Sequence, residues 1–139
     1  MSGVLVITEQ RGGAWNRMSW ETLAAGQQLA AQTGESVAAA VLGQAGELVS
    51  KKLDRVYAVE HPLLASYTAD AFTAALEQLI RKTSPSVVLF PHTYQVRDFA
   101  PKLATRFQQV LISDAIGFRV ESGVPIFVRQ IRRGSRWRR

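Results

Sequence analysis

Short, charge-free apolar runs alternate along this chain with stretches of helical periodicity, and that alternation constrains the fold more than any other feature. Val4-Leu5-Val6-Ile7 is unbroken and rich in β-branched residues, as expected of a strand buried on both faces. Val37 to Leu42, Arg55 to Val59 and Ser86 to Phe90 repeat the type, with Gly43 and Pro91 as punctuation. Helical patterns separate them. The first runs from Ser19 to Thr33, with Ser19 as N-cap, Glu21 in the first turn and Gly34 as a left-handed stop. Gly26 inside it marks close contact with a sheet, since Gly in a helix otherwise costs about 1 kcal/mol against Ala. A weak helix covers Glu47 to Leu53. In Thr68 to Lys82 the residues Ala69, Phe72, Leu76, Leu79 and Ile80 share one face. The last helix spans Asp98 to Gln109, placing Pro101 in its first turn, where N–H groups have no intrahelical partner. Leu111-Ile112 begins a fifth strand, and Gly117 to Glu121 and Pro125 to Ile131 alternate around Ser122-Gly123 as a β-hairpin. The series predicts the α/β class: a doubly wound, mainly parallel, Rossmann-like sheet closed by a C-terminal hairpin.

At 139 residues the chain is one domain in size. It has no cysteine, which excludes a disulfide framework, a zinc-thiolate or iron–sulfur site and a thiol nucleophile. The apolar runs are strand-length, and Met1 to Glu9 lacks a basic leader, so the expectation is a cytoplasmic protein with no membrane partner. The net charge of +6 suggests nucleic acid until the charges are placed. Arg132, Arg133, Arg136, Arg138 and Arg139 carry five of the six, leaving +1 for the rest. Without a phosphate track on the body, nucleic acid is not an expected partner. The chain divides into a domain over 1–131 and an Arg-rich, disordered tail over 132–139. The other reading of that tail is RNA contact, with arginines on phosphates and Trp137 stacked on a base.

A sheet of this kind meets ligands at the carboxyl ends of its strands, where the strand order reverses. The lips of that crevice are Thr8 to Trp15 and His92 to Asp98. Thr93, Arg97 and Asp98 are the candidate binding residues, a hydroxyl, a guanidinium and a carboxylate just before a helix N-terminus. The plainer reading makes Asp98 a helix cap and leaves Arg97 solvated. Gly12-Gly13 belongs to neither a G-x-G-x-x-G dinucleotide fingerprint nor a P-loop. His61 and His92 lack metal-ligand spacing, and His61 before Pro62 reads as turn geometry. Ser113 beside Asp114 has no nucleophile elbow. No catalytic residue and no metal site is expected, and the chain reads as a non-enzyme.

In sequence order, Val4 to Glu9, Val41-Leu42-Gly43, Val56 to Val59 and Glu60-His61-Pro62-Leu63-Leu64-Ala65-Ser66-Tyr67 follow one another. Pro91-His92-Thr93, then Arg97-Asp98-Phe99-Ala100-Pro101-Lys102-Leu103-Ala104, then Ser113-Asp114 and Phe127-Val128-Arg129 complete the set. Over residues 3 to 131 this resembles the N-terminal domain of the electron transfer flavoprotein alpha subunit, whose fourth strand is followed by an R-D-x-x-P-[RK]-x-A run. Val96 stands where that family commonly has Gly, and Gln10 where His is common. The resemblance implies an adenine nucleotide alpha hydrolase-like fold acting as a scaffold, packed against the beta subunit and the FAD domain in electron transfer from dehydrogenases. It implies FAD for the full-length protein, held mainly in a C-terminal half, and no cofactor bound by this chain. The alternative is a stand-alone adenine-nucleotide-binding domain using the crevice. A homodimer of the isolated domain, formed through the outer edge of the hairpin or the adjacent apolar patch, is also expected.

Overall fold

The computed structural model describes the backbone of residues 3–108, 115–119, 127–131 and 136–138, with side chains over 3–108. Strand β1, Gly3–Ile7, is buried along its whole length. It pairs in parallel with β4, Ser36–Val41, and with β6, Val87–Leu89, so that Leu5 stands between Ala38 and Val88. Beyond β4 lies β5, Arg55–Ala58, also parallel. On the other side β7, Ala115–Arg119, runs antiparallel to β6, followed by β8, Phe127–Ile131, and β9, Arg136–Arg138. The order β5-β4-β1-β6-β7-β8-β9 makes a mostly parallel, Rossmann-like α/β sheet.

Alternation along β1 splits the core into two layers. Val4 and Val6 face helix α1, Met18–Thr33, through Leu23, Leu29 and Ala30. Leu5 and Ile7 face α2, Ala69–Thr83, and α3, Tyr94–Arg106, through Phe72, Leu76, Ile80, Phe99 and Leu103. The chain moves outward from β1 to β4 and β5, then returns past β1 to β6. That reversal puts α1 and α2 on opposite faces, as crossovers of a single hand require. On the outer face of α2 and α3, Glu77 accepts from Arg106 (2.7 Å) and Arg81 (3.1 Å), and these hydrogen bonds hold its carboxyl below the ordinary carboxylate range.

The helix boundaries depart from the sequence reading. Met18, not Ser19, opens α1, and its N–H donates to Asn16 Oδ1 (2.9 Å), while Ser19 is fully buried. The weak helix over Glu47 to Leu53 is a short 3-10 turn at Gly46–Ser50. Helix α3 begins at Tyr94 with Thr93 as its N-cap, four residues ahead of Asp98. Pro101 therefore lies in the helix interior and not in the first turn. Two short strands, β2 (Gln10–Arg11) and β3 (Ala14–Trp15), form a hairpin absent from the sequence reading. Gly12 and Gly13 both take positive φ at its tip, as a two-residue hairpin loop demands.

Toward the C-terminus, the strand expected at Leu111-Ile112 and the Ser122-Gly123 turn lie outside the described residues. Arg136–Arg138 runs as a strand beside β8, where the sequence reading had a disordered tail. The free edge of β8 offers backbone donors and acceptors, and this segment takes them up. That edge, expected to invite a second copy of the chain, is thus occupied by β9.

Gly26 confirms the close contact of α1 with the sheet, since a Cβ there would run into Val6 Cγ2, in the middle of β1. Gly26→Ala is expected to lower stability by about 1–3 kcal/mol through overpacking, despite alanine's better helix propensity. Urea unfolding followed by circular dichroism checks this, a neutral or stabilising result being the opposite outcome.

Candidate functional site

The strand order reverses between β1 and β6, so the crevice lies where the sequence placed it, past Ile7 on one side and Leu89 on the other. Its two lips are joined by a side chain. Glu9 Oε1 accepts a hydrogen bond from the Thr93 hydroxyl at 2.6 Å, and Glu9 Oε2 accepts one from the Asn16 amide at 3.3 Å. Thr93 Oγ1 in turn accepts from the Val96 N–H (3.1 Å), capping α3. The Glu9 backbone is fixed as well. Its N–H donates to Ser19 Oγ (2.8 Å), and its carbonyl accepts from the Asn16 N–H (2.9 Å) and the Ser19 hydroxyl (3.2 Å). Beneath this bridge, between Glu9, Leu42, Gln95 and Phe99, remains a cavity of about 10 Å³. That is room for about one water. Neither an adenine nucleotide nor a flavin fits there, and the Glu9 carboxylate would face any phosphate that entered.

The three candidate residues do not converge on one point. Thr93 faces Glu9 across the crevice. Arg97 is exposed and donates to His92 Nε2 at 2.8 Å, which leaves the proton of a neutral imidazole on Nδ1. Asp98 does not cap the helix; it accepts a hydrogen bond from the Tyr67 hydroxyl at 2.6 Å. Tyr67 stands edge-on to Phe72, with ring centroids 4.9 Å apart, and ties the loop before α2 to α3. Burial, the bond to Asp98 and the charges of Asp98 and Glu9 push its phenol above the ordinary tyrosine range. Glu9, Asn16 and Tyr67 were not among the candidates. The signal for Glu9 was available: a carboxylate immediately after the first buried strand, opposite a threonine after the fourth.

A second concavity of about 380 Å³ opens at the carboxyl ends of β4 and β5, between Leu42, Gly43, Val59 and Pro62. His61 borders it and spends Nδ1 on the Leu63 N–H (3.1 Å), capping the short turn Pro62–Leu64. This is the turn role read from the sequence. Among the described residues no cluster of three His, Asp or Glu could hold a metal, and no helix is long and apolar enough to cross a membrane.

Residues 4–137 match the electron transfer flavoprotein domain. The chain belongs to the electron transfer flavoprotein domain family. It is 34% identical to the electron transfer flavoprotein subunit alpha of Syntrophomonas wolfei, over 96% of this chain and 43% of that one. It is 35% identical to the subunit alpha of Bacillus subtilis, over 98% and 43% respectively. The protein FixB of Azorhizobium caulinodans is 33% identical, over 86% of this chain and 34% of its own length. The chain thus spans about two-fifths of the length of the alpha subunits it matches, and corresponds to their N-terminal domain.

Two outcomes follow from this geometry. Glu9→Ala strands the part-buried Thr93 hydroxyl and Asn16 amide and is expected to cost about 1–3 kcal/mol in urea unfolding. Thr93→Val should cost a similar amount, and the double variant less than the sum. For Tyr67, ultraviolet titration should show a phenol still protonated above pH 10, and Asp98→Asn should bring it down. Because the folded phenol holds its proton longer than the unfolded one, its contribution to stability is complete below about pH 10 and is lost as pH rises further.

Proposed function

We propose that this chain is the N-terminal scaffold domain of an electron transfer flavoprotein alpha subunit and carries no catalytic residue of its own. In this reading it packs against the beta subunit and against the FAD domain of the full-length protein. The assembled complex then passes electrons from dehydrogenases, in the cytoplasm. FAD belongs to the full-length protein and is bound outside this chain. The observation that carries the reading is the Glu9–Thr93 bridge, which fills the switch-point crevice with the protein's own side chains. A fold that elsewhere opens this crevice to a ligand here uses it to fasten β1 to α3. The likeness to alpha subunits supports the same reading from the sequence.

The stand-alone nucleotide-binding alternative gains nothing from a cavity of about 10 Å³ at that position. A thermal-shift series with ATP, AMP and FAD discriminates the two, because a ligand at 100 times its Kd adds about 2.7 kcal/mol. No shift with any of the three, together with co-elution with a co-expressed beta subunit, is the expected result. Saturable stabilisation by AMP or ATP, or elution apart from the beta subunit, overturns the scaffold reading.

A further inference from the structure

Tyr94 is 89% exposed, more than Val49 or Leu63 at 70% each, the other large apolar side chains that the described residues leave outside. Three positions on, Arg97 shares that outer face of α3, while Val96, Phe99 and Ala100 turn inward. Its guanidinium donates to His92 Nε2 at 2.8 Å and, among the described residues, has no carboxylate within ion-pair distance. The acids of the two crevice lips are spent elsewhere, Asp98 on the Tyr67 hydroxyl and Glu9 on Thr93 and Asn16. The cations further along the same helical layer are paired, Arg81 and Arg106 with Glu77 and Lys102 with Asp70. Arg97 is different. A guanidinium held by an uncharged imidazole keeps its charge unbalanced and most of its donors unspent.

We propose that His92, Tyr94 and Arg97 form a docking surface for a partner polypeptide that sets a carboxylate on Arg97 and an apolar side chain on the Tyr94 ring. Charge complementarity selects the first half of that occupant. The bond to His92 orients the planar guanidinium before anything arrives, so its remaining N–H groups receive a carboxylate as a fork and little side-chain freedom is lost on binding. The Tyr94 ring selects the second half. It offers a large amphipathic surface with few rotatable bonds, and Tyr and Arg are the residue types on which interface energy concentrates. The support beneath is rigid, because the Thr93 side chain that caps α3 is itself fastened to Glu9. A nucleic acid would meet Arg97 without a basic surface to continue on, since residues 3–108 carry ten Lys and Arg against nine Asp and Glu. A second copy meeting this one face to face would set Arg97 against Arg97, which opposes a symmetric contact.

The test is a nitrogen-15 amide titration of the full chain with four probes: capped Leu-Glu-Leu, Leu-Gln-Leu and Gly-Glu-Gly peptides, and inorganic phosphate. The Leu-Glu-Leu peptide is expected to shift the amides of residues 92–98 saturably and to bind about tenfold more tightly than either of the other peptides, each of which lacks one half of the match. Arg97→Gln and Tyr94→Ala should each weaken it by about tenfold with the rest of the spectrum unchanged, and Arg97→Lys, which keeps the charge without the fork, should fall between. The comparison among probes on the unaltered chain decides the matter even where a variant fails to fold. Equal binding of the Glu and Gln peptides overturns the proposal, as does the absence of saturable shifts at residues 92–98. Phosphate binding there more tightly than the Leu-Glu-Leu peptide overturns it in favour of a simple anion site. Shifts of the same amides with protein concentration alone assign the surface to a second copy.

Discussion

The double burial of β1 is the constraint from which the rest of this structure follows. Every residue of Gly3–Ile7 is buried, so its N–H and C=O groups must be satisfied by strands on both sides and its side chains by layers on both faces. Parallel partners meet the first demand and need long crossovers, which supply the helices that meet the second. The smallness of Gly26 belongs to the same constraint. Alpha-helical packing onto β1 is close enough at that point that the helix gives up a side chain to Val6.

Placing β1 at the centre also fixes where the chain reverses, and hence where a crevice must form. In this protein the crevice is bridged. Glu9 leaves β1, Thr93 leaves the strand beside it, and their hydrogen bond joins the first turn of α3 to the β2–β3 hairpin through Asn16. A carboxylate held between a hydroxyl and an amide satisfies all three groups without a ligand. The same polar residue types that suit an anion site in an open crevice become structural when they face one another across a closed one. Tyr67 and Asp98 make a second fastening between loop and α3, backed by the rings of Phe72 and Phe99.

The antiparallel side of the sheet has a different physical character. β1 and β6 are covered on both faces by the three helices, whereas β7, β8 and β9 pair one after another in antiparallel order.

Elements with a hydrophobic period were legible in the sequence. β1, β4, β5, β6, α1 and α2 were placed to within a residue or two, because burial dictates apolar spacing and spacing is written along the chain. The reversal at β1 and the location of the crevice followed from their order alone. What the sequence did not disclose were contacts between residues far apart in it. Glu9 and Thr93 are 84 residues distant and Tyr67 and Asp98 are 31 apart, and a carboxylate looks the same whether it awaits an anion, caps a helix or joins two lips. The start of α3 was missed for a related reason. Thr93 and Asp98 are both plausible caps, and only packing Val96 and Phe99 beneath the sheet's helical layer makes the earlier one the true beginning. The paired strand at Arg136–Arg138 was likewise decided by a neighbour, since its pattern is polar and only the free edge of β8 gives its backbone somewhere to pair. Local sequence thus determined the elements and their order, through burial; tertiary structure decided which polar groups meet, because a hydrogen bond depends on proximity that only the folded sheet creates.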